Sequence, residues 1–178
     1  MNKLVLISGC SGGGKSALLA ELAARGFAVV DEPGRRIVKQ ELENDGNALP
    51  WIDMPAFARR AIRIATDDHV AARSQPSWTF FDRGLVDAAA ALEYATGEPI
   101  QEEVIAANRY REQVFLAPPW PEIYGTDPER RHGFDEATAE YARLEELFPK
   151  VGYEIVVLPK AKISERADFI LKCLAGQD

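Results

Sequence analysis

The feature that most narrows the possible folds is Gly9-Cys10-Ser11-Gly12-Gly13-Gly14-Lys15-Ser16. It lies between the apolar run Leu4–Ser8 and a helix-forming segment, Lys15–Arg25. It fits G-x-x-x-x-G-K-[ST] at every fixed position, and its strand-before, helix-after setting is the one the pattern requires. Glycines let the backbone wrap until several N–H groups converge on phosphate oxygens. The helix N-terminus adds positive potential, Lys15 supplies a point charge for the β- and γ-phosphates, and the Ser16 hydroxyl can ligate Mg²⁺. Chance would produce the pattern in roughly a few of a thousand chains of this composition. The stretch therefore implies a bound nucleoside triphosphate, ATP or GTP, with Mg²⁺. Its candidate ligands are Gly9, Ser11, Gly12, Gly13, Gly14, Lys15, Ser16 and Ala17.

A loop of this kind needs a parallel sheet to hold it, and the rest of the chain supplies one. Leu4–Ser8, Ala28–Glu32, Trp78–Asp82, Gln113–Ala117 and Tyr153–Leu158 are short apolar runs rich in β-branched or aromatic residues. Their continuous apolar character predicts strands buried on both faces. Helical patterns alternate with them. Lys15–Arg25 closes at Gly26; Asp53 caps a helix to about Arg73 with Phe57, Ala61 and Ile64 inward. Val86–Thr96 closes at Gly97, Asp135–Phe148 turns Ala137, Tyr141, Leu144 and Phe148 inward, and Ser164 caps a last helix carrying Ala167, Ile170, Leu171 and Leu174. The alternation predicts a three-layer α/β fold, and 178 residues suffice for one domain, 1–178. Residues 117–134, with four prolines and two glycines, form no regular element and read as a lid at about 118–133.

The chemistry has to come from the other strand ends. Asp82 in "TFFDRG" closes an apolar strand, where a carboxylate can hold Mg²⁺ or cap the following helix. Arg83 can reach a phosphate or pair with a surface acid. Glu32, in "VVDEPGRR", can take a proton from an attacking hydroxyl or serve as a turn residue before Pro33. Arg35 and Arg36 can grip an anionic substrate group or form a solvated helix face. Arg130 and Arg131 can close over a transferred phosphoryl group, or simply face solvent. Trp51 and Trp120 can stack on a base or pack the fold.

Composition limits the partners. A net charge of −7 and a pI near 5.0 argue against nucleic acid or an anionic membrane surface. No apolar run approaches the ~20 residues of a membrane span. Cys10 and Cys173 show no metal-like pairing and suit a reducing, cytoplasmic location. His69 and His132 are too far apart in sequence to suggest a metal site.

With these residues in view, the chain resembles the small P-loop kinases of nucleosides and nucleoside monophosphates. It is most similar to the AAA-labelled ATPase family related to nicotinamide-riboside-kinase-like domains. "GCSGGGKS", "DEPGRR", "FFDRG", "FLAPPWPEIYGTDPERR" and "GYEIVVLP…SERADFIL" carry the resemblance over nearly the whole chain. It implies a five-stranded parallel sheet in order 2-3-1-4-5, with a lid between the fourth strand and the following helix. It also implies phosphate and Mg²⁺ on Lys15 and Ser16, a kinase "DR" pair in Asp82-Arg83, and a base at Glu32. "DRG" departs from the "DRS" or "DRY" of better-known kinases and leaves the acceptor pocket undefined. A GTPase pattern, Asp31-Glu32-Pro33-Gly34, follows the wrong strand and has no N-K-x-D to accompany it.

The expected activity is Mg²⁺-dependent transfer of an ATP γ-phosphoryl group to a small nucleoside-like or phosphorylated metabolite. Lys15, Glu32, Asp82, Arg83, Arg130 and Arg131 would act catalytically, and Ser16 and Asp82 would hold the metal. The alternative is a slow NTPase, a nucleotide-gated binding protein that orders the proline-rich loop for a protein partner.

Overall fold

A computed structural model of the chain describes residues 2–125 and 133–176. Five parallel strands form one sheet: β1 (Leu4–Gly9), β2 (Ala28–Val30), β3 (Thr79–Asp82), β4 (Gln113–Ala117) and β5 (Glu154–Val157). Their order is β2-β3-β1-β4-β5, the expected 2-3-1-4-5. β1 is central, with Ile7 opposite Asp82 on β3 and Gly9 opposite Ala117 on β4. The C-terminal ends of β1, β3 and β4 thus meet at the point where the chain leaves the sheet in opposite directions, the usual crevice for ligands in open α/β sheets.

β1, β3 and β4 are buried throughout, as their apolar runs predict. β2 and β5 are only partly buried, because each is an edge strand with a neighbour on one side. Their regular pairing also stops short: Asp31, Glu32 and Leu158 lie outside the strands.

Helices cover both faces. α1 (Lys15–Ala24) and α7 (Ile163–Ala175) pack on one side, where Leu18, Leu22, Ala167 and Ile170 meet Val5, Ile7 and Phe115. α3 (Met54–Ala72), α4 (Leu85–Thr96) and α6 (Phe134–Lys150) cover the other, with Ala65, Val86, Leu144 and Phe148 against Leu6, Phe81 and Leu116. α2 (Pro33–Glu43) leans on α3 through Ile37 and Ala61, and α5 (Glu102–Ala107) precedes β4.

The sequence patterning gives no helix for α2. Glu32 precedes it and Pro33 occupies its first turn, where a fixed φ and a missing N–H carry no penalty. The N-cap of α3 is Asp53, which accepts from Ala56 N–H at 2.9 Å. α7 starts earlier than Ser164 suggests: Lys162 is its N-cap, and its N–H donates to Glu165 Oε2 at 3.3 Å. A 3₁₀ turn, Pro121–Ile123, occupies part of the expected lid. Residues 126–132 of it, including Arg130, Arg131 and His132, lie outside the described residues. Among the described residues no helix is long and apolar enough to cross a membrane.

Candidate functional site

The loop between β1 and α1 turns tightly because its glycines sit where nothing larger fits. Gly9 has φ +107°; a Cβ there would collide with Ala117 O and stand 2.6 Å from Ala117 N. Cys10 N–H donates to Ala117 O at 2.8 Å, which anchors the loop to β4. Gly14 is the N-cap of α1 at φ +76°. Gly13 gives its N–H to Cys10 O at 3.1 Å. Gly9 and Gly13 shape the loop without lining the cavity it opens on; Ser11, Gly12, Gly14, Lys15, Ser16 and Ala17 line it.

Lys15 is buried and folds over its own loop, with Nζ donating to Cys10 O at 2.8 Å and Gly9 O at 3.4 Å. Burial, then the nearby Arg83 charge, lower its pKa; Asp82, Glu32 and Glu140 pull the other way. Two carbonyl acceptors hold the ammonium at the mouth of the loop.

Asp82, the last residue of β3, faces this lysine. Oδ2 accepts from Ser16 Oγ at 3.2 Å, whereas Oδ1 is buried without a hydrogen-bond partner. Burial, then the Glu32 charge, push its carboxyl up to about 6; Lys15, Arg83 and Ser16 oppose the rise. Asp82 does not cap α4. That N-terminus belongs to Gly84, whose N–H donates to Asp87 Oδ2 at 3.0 Å. Ser16 Oγ and Asp82 together present hard oxygens, one of them an orphaned buried acceptor, and so fit Mg²⁺. Among the described residues no group of three His, Cys, Asp or Glu could hold a metal. Mg²⁺ sites on nucleotides need no such group, since phosphates and water complete the coordination.

Arg83 is ringed by acids. It forms a two-pronged pair with Glu140 of α6, at 2.8 and 3.2 Å, and donates to Gly9 O at 3.1 Å. Glu32 Oε1 stands 3.6 Å away and Asp87 Oδ1 3.5 Å. Burial alone would lower its pKa; Glu140, Glu32 and Asp87 outweigh that and raise it. Its φ of +58° is unusual for a side chain of this size. Arg83 N–H donates to Ile7 O at 2.9 Å, which keeps the residue tied to β1 beyond the end of β3.

Glu32 faces the same cleft from the start of α2, 3.3 Å from Arg35 Nε. Arg35 also lines the cavity. Arg36 does not: its Nη1 lies 2.5 Å from Asp68 Oδ2 on α3, so it joins helices. Trp51 lines the cavity, and Trp120 does not.

Among the charged cavity residues that escape the sequence reading are Asp87, Glu140 and Arg143. Asp87 stands four residues after Arg83 on an otherwise apolar helix face, accepting from Ser8 Oγ, and that isolated acid is a readable signal. Glu140 is one acid among many in "DEATAEYARLEE" and carries no such mark. The cavity itself, about 1060 Å³, runs from the loop between α2, α3, α4 and α6. Its far arm is apolar, with Val38, Phe57, Ala58, Ala88, Ala91 and Tyr94, and Arg143 lies 3.9 Å over the Tyr94 ring. Small residues on α4 leave that arm open.

A sheet in this order, with a glycine-rich loop after its central strand, is the P-loop kinase fold. The family follows from the sequence: residues 4–166 match an AAA domain, and the chain belongs to that family. Solved structures share the fold at low identity. NadR, in complex with NR, superposes with a TM-score of 0.75 at 18% identity, over 98% of this chain and 51% of that one. Deoxyadenosine kinase from M. mycoides, with dCMP and a flexible dCDP bound, gives 0.67 at 15% identity, over 97% and 99%. Shikimate kinase from Acinetobacter baumannii, in complex with shikimate, gives 0.63 at 14%, over 100% and 96%. No curated protein matches the sequence.

Proposed function

We propose that the protein is an ATP- and Mg²⁺-dependent phosphotransferase whose acceptor is a small nucleoside-like or phosphorylated metabolite. The observation that carries this reading is Asp82: a buried carboxylate, half unpartnered, that accepts from Ser16 Oγ, while Ser16 and Lys15 themselves line a large cavity with a second, apolar arm. A protein that only hydrolysed or sensed a nucleotide would have no use for that arm. The aromatic faces of Trp51, Phe57 and Tyr94 suit a ring-bearing acceptor. NadR with NR and deoxyadenosine kinase with its nucleotides are precedents on this fold.

Mg²⁺, when bound, neutralises charge developing on the phosphates. The loop amides and Lys15 hold the phosphates; Ser16 and Asp82 would hold the metal. Glu32 takes the proton from the acceptor hydroxyl as its oxygen bonds to the γ-phosphorus and the bond to ADP breaks. Arg83 orients the acceptor side, its fork fixed by Glu140. Arg130 and Arg131 complete the proposal as arginines that close over the transferred group.

The test is ADP release from ATP and Mg²⁺, with and without a panel of nucleosides, nucleoside monophosphates and pyridine ribosides. Strong stimulation by one compound, with a phosphorylated product, is the expected result. A slow rate that no compound stimulates, with tight nucleotide retention, refutes the transferase in favour of the nucleotide-gated alternative. Glu32→Gln should lower kcat by about 10²–10⁴-fold with nucleotide affinity retained; unchanged turnover removes Glu32 as the base.

A further inference from the structure

Arg166 stands in the first turns of α7, at the end of that helix nearest the phosphate-binding loop. It is 1% exposed, and its Nε and Nη2 are buried without a hydrogen-bond partner. The acids beside it on α7 are committed elsewhere. Asp168 pairs with Arg25 of α1 at 2.5 Å, and Glu165 accepts from Lys162 N–H. Burial accordingly pushes the guanidinium pKa down. Its ring contact among the described residues is edge-of-range: the Trp120 centroid lies 5.9 Å away. A buried charge left this way destabilises the fold, and an apolar side chain of the same size would pack there at no such penalty.

The position of Nη1 explains why an arginine stands there. A Cβ on Gly14 would sit only 2.9 Å from it, so the guanidinium abuts the loop residue that opens α1. Amides of a glycine-rich loop that opens a helix are suited to receive phosphate oxygens. A phosphate is also the counter-ion a planar guanidinium fork matches best. Gly14 therefore serves two needs: it supplies a left-handed turn and leaves room for Arg166 to approach the loop.

We propose that Arg166 is a ligand of the bound triphosphate, reaching its phosphates from the α7 side of the loop while Lys15 reaches them from within. The inference rests on the nucleotide-binding reading of the loop. It adds a second, remote cation that recognises phosphate and carries no role in the acceptor arm. Binding then supplies the counter-ion the described residues lack, and couples α7 to the nucleotide.

Calorimetric binding of ATP and of inorganic tripolyphosphate, with melting of the nucleotide-free protein, tests this without reference to turnover. Arg166→Met should weaken both ligands by about 10–100-fold, while the nucleotide-free protein melts at the same or a higher temperature. Unchanged affinity with a lower melting temperature makes Arg166 a structural residue and overturns the proposal. Lys15→Ala separates the two readings. If it weakens ATP and Arg166→Met does not, only Arg166 has failed; if the unmodified protein binds neither ligand, the nucleotide reading falls and Arg166 with it. Should Arg166→Met not fold, Arg166→Lys decides: at least threefold weaker ATP at an unchanged melting temperature upholds the assignment, and equal affinity overturns it.

Discussion

Asp82→Asn should make the nucleotide-free protein more stable and leave it inactive. The Asp82 carboxyl is 4% exposed and is pushed up to about 6 from an ordinary 3.8, first by burial and then by Glu32. A rise of roughly two units corresponds to about 3 kcal/mol of differential cost for the ionised form. Between pH ~4 and ~6 the folded protein binds more protons than the unfolded chain, so stability falls as pH rises through this window and stays low above it. An amide cannot ionise and escapes that loss. At pH 7.5 the variant should be more stable by about 1–3 kcal/mol, the lower end allowing for the second buried donor that the amide brings. For a chain of this size that is a rise of roughly 2–10 °C in Tm. Scanning calorimetry at pH 7.5 and pH 4.5, without metal or nucleotide, is the assay, and the advantage should shrink at the lower pH. A variant less stable than the parent at pH 7.5, by a margin that does not change with pH, would refute the argument that burial penalises this carboxylate.

Two substitutions separate the parts of the site. Gly9→Ala should prevent the loop from closing on β4, because the new Cβ would collide with Ala117 backbone at a φ of +107°; urea denaturation should show a loss of more than ~3 kcal/mol or failure to fold. Ala91→Trp should fill the apolar arm of the cavity, which Ala91 lines. It should abolish acceptor-stimulated ADP release while calorimetric ATP affinity stays within about threefold.

The fold was legible because its signals are periodic and redundant. β1, β3 and β4 read as continuous apolar runs since helices cover both their faces. α2 was missed because, beyond Pro33 in its first turn, only Ile37 and Val38 are buried in an otherwise polar segment. In the candidate site, the glycine-rich loop is local and announces itself in the sequence, and Asp82 and Glu32 stand out because each closes an apolar run, although Glu32 lies beyond β2 as the N-cap of α2. What a sequence does not carry is pairing across elements. Arg35 and Arg36 are adjacent in the chain, yet one lines the cavity and the other meets Asp68 on α3. Glu140 becomes meaningful only once α6 brings it within 2.8 Å of Arg83, 57 residues away. Arg166 is similar: nothing in "SERADFIL" marks it, and its burial and the approach of Gly14 appear only in the fold.

Arg83 joins backbone and charge in one residue, and two variants can divide them. Both Arg83→Ala and Arg83→Gly remove the same guanidinium, leaving Glu140, Glu32 and Asp87 around a site with one cation fewer. Breaking a largely buried pair of this kind costs about 3–5 kcal/mol, a loss common to both variants. They differ at φ +58°, where a Cβ is strained by roughly 1–2 kcal/mol and glycine is not. Against this, glycine's freer unfolded chain offsets about 0.4–1 kcal/mol. The Gly variant should therefore be the more stable, by about 1 kcal/mol, in urea denaturation at pH 7. An Ala variant equal to or above it would mean that Arg83 N–H on Ile7 O holds the turn without strain. The expected order would mean that the chain accepts a strained backbone in order to place this guanidinium between β3 and α6. Strain of that kind persists only where the surrounding structure over-determines it, and here the bonds to Ile7, Gly9 and Glu140 do so.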